Sequence, residues 1–129
     1  MSRALDDLHP EFKLLAMQLI ARVVERGLAV MVVDTLRTQA EHEENLKKGT
    51  SWTVRSLHLD GLAIDLAPFN TYQLHGPDKL QWDASDPAWK IIGEEAEKLG
   101  LKWGGRWNTP DPGHAEHPNG RTFANQGTP

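Results

Sequence analysis

Two stretches of this 129-residue chain hold the residue types that do chemistry. The first, SLHLDGLAIDLAP at residues 56–68, sets His58 and Asp65 around a largely apolar run, and the second, DPGHAEH at 111–117, gathers Asp111, His114, Glu116 and His117. The chain has no cysteine, so any metal site must be built from imidazole and carboxylate. On a straight strand, His58 and Asp65 would face opposite ways and lie roughly 23 Å apart at about 3.3 Å per residue. Asp60-Gly61 is a dipeptide that favours chain reversal. A hairpin there is expected to bring His58 beside Asp65 while Leu62, Ile64 and Leu66 pack inward. An ordinary hairpin with a surface histidine fits the same pattern, so this pair alone does not decide for a metal.

A third ligand has two candidates, His114 and His117. If the chain is extended after Gly113, His114 and Glu116 share one face and His117 takes the other, so only one of the two histidines joins His58. Two histidines and one aspartate leave a zinc ion with an open fourth position, which marks a catalytic rather than a structural ion. Asp111, ahead of His114, is then the carboxylate suited to act as general base. The competing reading is a polar C-terminal loop with solvated histidines. Arg37 falls at a strand end, where its guanidinium meets either a developing oxyanion or a neighbouring Asp or Glu. His9, His42 and His75 read as surface residues.

These residues need elements to position them. Phe12, Leu15, Ala16, Leu19, Ile20, Val23 and Val24 recur at three and four, which predicts a helix over residues 10–26 with Pro10 in its first turn and Gly27 at its end. Residues 28–33 are short, apolar and β-branched, and read as a buried strand. Thr38 with Glu41 forms a capping box that predicts a second helix to Lys48, closed by Gly49. Asp86 and Pro87 open a third helix whose apolar face is Trp89, Ile92, Ala96 and Leu99 and which stops at Gly100. Further strands are expected at 62–66, 80–82, 101–103 and around 114–116. The tail after His117 reads as loop. Helices and short strands mix without βαβ alternation, so the fold class is α+β: a single small domain over residues 1–129.

Composition excludes several partners. Lys+Arg 14 against Asp+Glu 18 gives a net charge of -4, and no basic stripe is present, so nucleic acid is not expected. No apolar run approaches the length of a membrane span, and the acidic N-terminus lacks an export pattern, so synthesis in the cytoplasm without membrane insertion is expected. The five tryptophans are scattered, and most read as core or cleft wall.

Three segments in order, TLRTQAEHEENLKKGTS, SLHLDGLAIDLAP with its SxHxxGxAxD pattern, and LKWGGRW followed by DPGHAE with its DxxHxE pattern, resemble the zinc-dependent L-alanyl-D-glutamate and D-alanyl-D-alanine peptidases, above all small phage endolysins. The resemblance runs over residues 32–116. It implies one zinc ion bound by His58, Asp65 and His114, Asp111 as catalytic base, Arg37 near the scissile carbonyl, and Ser56 lining the site to orient substrate. It decides against His117 as ligand. It also implies a central antiparallel sheet flanked by about three helices, shared with Hedgehog signalling domains and D,D-peptidases. Arg106 stands where many members have an acidic residue, and Ala115 where an aromatic is common; both bear on the shape and charge of the cleft.

The implied substrate is the peptidoglycan stem peptide, cleaved by a monomer without a separate wall-binding domain. An endolysin made in the host bacterial cytoplasm and acting on the wall after membrane breach fits the N-terminus better than a secreted D-alanyl-D-alanine carboxypeptidase. A non-catalytic module that keeps zinc for peptidoglycan binding is the alternative from another class, and the presence of Asp111 speaks against it.

Overall fold

The computed structural model describes residues 2–48, 57–69 and 85–120. Helix α1, Pro10–Glu25, starts where His9 accepts the Glu11 N–H through its side chain, and of the predicted stripe it buries Phe12, Ala16, Leu19 and Val23, with Leu15 and Ile20 partly buried and Val24 exposed. Strand β1, Val30–Asp34, begins and ends slightly later than expected because its partner β2, Ala63–Pro68, sets the register from Val30 opposite Pro68 to Asp34 opposite Asp65. The capping box forms as predicted: Thr38 N–H donates to Glu41 Oε1 at 3.0 Å, and Glu41 N–H to Thr38 Oγ1 at 3.1 Å. It opens α2, Gln39–Lys48.

The third helix, α3, spans Ala88–Lys98 with Pro87, not the expected Asp86, at its N-cap position, and Asp86 just before it accepts the Ala88 N–H at 2.9 Å. Strands β3, Lys102–Trp103, and β4, His114–Glu116, complete a four-stranded antiparallel sheet ordered β1-β2-β4-β3. The fold is therefore a small α+β domain. Ser56, the strand expected at 80–82, Trp52, Trp82 and His75 lie outside the described residues, as does the side chain of His42. No helix among the described residues is long and apolar enough to cross a membrane.

One expectation needs correction. Asp60-Gly61 does not make a β-hairpin: Leu57–Asp60 form a single 3-10 turn, closed by Leu62 N–H donating to Leu57 O at 3.0 Å. The strand after the turn pairs with β1 and β4. Gly61 has φ +70, and its carbonyl accepts the His9 N–H at 2.9 Å; a Cβ there would lie 2.8 Å from the His9 nitrogen, so only glycine admits this crossing by the N-terminal segment.

Alternation along β2 divides the molecule. Ile64 and Leu66 are fully buried against the α1 and α3 side chains, and Asp65 between them faces the other side of the sheet. The α1–α3 contact is tied at its edge by Glu95, which accepts from Arg22 at 2.9 Å, Arg26 at 3.1 Å and Lys98 at 3.0 Å.

Candidate metal centre

Sheet register builds the site. Asp65 is opposite Asp34 on one neighbouring strand and opposite His114 on the other, so three polar residues form a row across β1, β2 and β4. Paired residues in a sheet share a face, which is why residues far apart in sequence meet here.

His58 arrives from the 3-10 turn, and the segment leaving β1 fixes it at two points. Its Nδ1 lies 2.9 Å from Thr35 O, and Arg37 N–H donates to His58 O at 3.0 Å. A carbonyl oxygen only accepts, so Nδ1 carries the hydrogen, and Nε2 faces Asp65 Oδ1 at 3.2 Å. His114 Nδ1 is 3.0 Å from the same Asp65 oxygen, and its Nε2 is 2.8 Å from Glu116 Oε1. Glu116 and His114 thus share a face, as the extended reading expects.

His58, Asp65 and His114 each offer one ligand atom, and these atoms all lie within 4.8 Å of one another. The donor set fits a divalent cation. Each imidazole has its remote nitrogen committed to an oxygen acceptor, Thr35 O or Glu116, which fixes the tautomer so that the near nitrogen is available to a metal. His117 is not part of this group. It takes the opposite face, its ring centroid 6.4 Å from that of Phe12 and its Nδ1 accepting the Asn119 N–H at 3.0 Å. His9 serves as the α1 cap.

Charge in the site is unevenly distributed. Burial works against ionisation of Asp65, but the charges of His58 and His114 and their hydrogen bonds to it hold its carboxyl well below the usual range. Burial likewise opposes charge on His114, yet the bonds to Asp65 and Glu116, with Asp111 nearby, push its imidazole up to about 10. Asp111 moves the other way: burial and the neighbouring Asp65 carboxylate raise its pKa against the pull of His114, His58 and Arg37. A carboxyl with a raised pKa is a better proton acceptor.

Arg37 forms the ion pair with a neighbouring acidic residue that was one of its two expected roles. Its Nη2 donates to Asp34 Oδ2 at 2.9 Å within a nearly buried pair, and its charge reaches Asp111. The role of Asp34 was not foreseen; its spacing three residues before Arg37 was the available signal. Beside the carboxylates of Asp65 and Asp111 lies a cavity of about 250 Å³, walled by Val33, Leu66, Trp89 and Pro112. Trp107, still 36% exposed, tilts over His114 with ring centroids 4.8 Å apart.

A family model described as D-alanyl-D-alanine carboxypeptidase matches residues 49–117. An L-alanyl-D-glutamate peptidase of a Listeria phage is 33% identical over 84 residues, 64% of this chain and 27% of that protein. One from an Escherichia phage is 31% identical over 93 residues, 66% of this chain and 64% of that protein. The peptidoglycan L-alanyl-D-glutamate endopeptidase CwlK of Bacillus subtilis is 32% identical over 118 residues, covering 78% and 67%. The chain therefore spans about a quarter of the Listeria phage protein and just under two thirds of the Escherichia phage protein. The crystal structure of the Serratia marcescens L-Ala D-Glu endopeptidase ChiX superposes with a TM-score of 0.66 at 24% identity, covering 92% of this chain and 86% of that one, which establishes the shared fold.

Proposed function

Because the chain belongs to the D-alanyl-D-alanine carboxypeptidase family, we propose that it is a zinc-dependent endolysin-type peptidase that hydrolyses the L-alanyl-D-glutamate bond of peptidoglycan stem peptides. The observation that carries this reading is the position of Asp65 Oδ1, 3.2 Å from His58 Nε2 and 3.0 Å from His114 Nδ1. The edge of a tetrahedral zinc site with bonds of about 2.0–2.1 Å is about 3.3 Å. The spacing therefore suits zinc, with His58, Asp65 and His114 as its ligands. The names of the phage and Bacillus relatives support the choice of bond.

When bound, zinc supplies a Lewis acid that polarises the scissile carbonyl and acidifies water. The protein's own residues do the rest. Asp111 takes a proton from the attacking water and returns it to the departing amine. Arg37, oriented by Asp34, steadies negative charge on the carbonyl oxygen. Glu116 and the Thr35 carbonyl keep the two imidazoles in their ligand tautomers. Trp107 walls the side of His114.

The deciding experiment is mass spectrometry of fragments released from purified peptidoglycan. New D-glutamate amino termini are expected. The family description keeps D-alanyl-D-alanine carboxypeptidase as a second reading, which release of free D-alanine would favour. Absence of products would leave the zinc-containing binding module.

A further inference from the structure

The turn that carries Asp111 is held by hydrogen bonds at three consecutive carbonyls. Asp111 O accepts from His114 N–H at 3.1 Å, and Gly113 O from Leu66 N–H at 2.9 Å. Between them, Pro112 O accepts not from backbone but from the indole Nε1–H of Trp103, at 2.8 Å. This indole N–H is the side-chain anchor of the peptide between Pro112 and Gly113.

Trp103 is itself immobilised. A Cβ on Gly93 of α3 or on Gly105 would come to 2.3 Å from its ring, so the indole packs closely against the backbone at both glycines. The Arg106 guanidinium lies 5.6 Å from the ring centroid and is in turn held by both Glu97 oxygens, at 3.1 and 2.9 Å. The positive charge at position 106 thus ends in a clamp to α3 over the Trp103 ring, rather than pointing alone into the cleft. From α3 through the indole to Pro112, a rigid chain of contacts terminates one residue from the Asp111 carboxyl.

We propose that Trp103 is a positioning residue for Asp111, its indole N–H fixing the Pro112 carbonyl and so the direction of the carboxylate toward the His58–Asp65–His114 group. This rests on Asp111 being the base, as assigned above. Misplacing a reacting group by about 1 Å costs on the order of a hundredfold in rate. A loss of aim therefore registers in kcat while ligand geometry and substrate contacts persist.

Two replacements test it in the zinc-loaded full chain: Trp103→Phe, and the benzothienyl isostere of tryptophan at position 103, which keeps the ring's shape and puts sulfur where the N–H was. The isostere secures the test if the Phe variant fails to fold. The expected result is a fall in kcat of about ten- to a hundredfold, KM within about twofold of wild type and unchanged zinc stoichiometry. In an Asp111→Asn background the same replacement should leave the residual rate unaltered, because there is no base left to aim. Wild-type kcat in the isostere overturns the proposal. So does an equal loss in the Asp111→Asn background, which would mean a general structural role. If Asp111→Asn alone turns over normally, the base assignment itself falls, and that outcome is distinct from the other two.

Discussion

Asp65 and His114 sit opposite each other across two antiparallel strands, with Asp65 Oδ1 3.0 Å from His114 Nδ1. In the metal-free protein this is an ion pair. The histidine pKa is raised from 6.5 to about 10, so the stability it lends is complete below about pH 6.5 and lost as pH rises through 10. The Asp65 pKa is depressed, so its contribution is present above about pH 3.8 and lost only as pH falls well below that. Chelator-treated protein should therefore resist urea best between about pH 4 and 6.5 and weaken steadily toward pH 10. Urea melts across that range check the trend.

Metal binding runs against the same proton. A cation at His114 Nδ1 must displace the hydrogen shared with Asp65, so zinc uptake at neutral pH should release a proton and strengthen as pH rises. Calorimetric titration in buffers of different ionisation enthalpy measures that release. The expected value at pH 7 is close to one proton from this site.

Glu116 holds the far side of the His114 ring at 2.8 Å and is itself buried. Glu116→Ala should weaken zinc affinity by about 10- to 100-fold, and Glu116→Gln, which keeps an acceptor oxygen, by less. His58→Ala removes one of the three proposed ligands and should cost more than either. Competition with a fluorescent zinc chelator ranks the three variants.

Asp34 neutralises Arg37 within a nearly buried pair at 2.9 Å. Asp34→Ala should destabilise the fold by about 3 kcal/mol, since removing one partner leaves the other charge in a poorly solvated place. It should also lower kcat by misdirecting the guanidinium, leaving zinc content intact. Urea unfolding and elemental analysis of the dialysed variant separate the two effects.

Much of this architecture was legible in sequence because it depends on local rules. The three-and-four spacing of Phe12, Ala16, Leu19 and Val23 marks α1, the Thr38–Glu41 box marks the start of α2, and alternation puts Ile64 and Leu66 inward with Asp65 outward. The nearness of His58 to Asp65 was also anticipated, but through the wrong turn. The glycine that permits a hairpin equally permits a 3-10 turn with φ +70, and the N-terminal segment crossing at His9 selects the latter. The meeting of Asp65 with His114, 49 residues away, was legible only through the family resemblance, and neither the strand register that sets it nor the indole of Trp103 reaching Pro112 was anticipated. Such contacts follow from how strands assemble, and no local preference encodes them.

The most direct test of the site is the Asp111→Asn variant, followed for zinc content and peptidoglycan hydrolysis in the same preparation. Stoichiometric zinc with hydrolysis reduced by about 100- to 10,000-fold is expected for a base that is not a ligand. Hydrolysis at the wild-type rate, or loss of the metal together with activity, would contradict it.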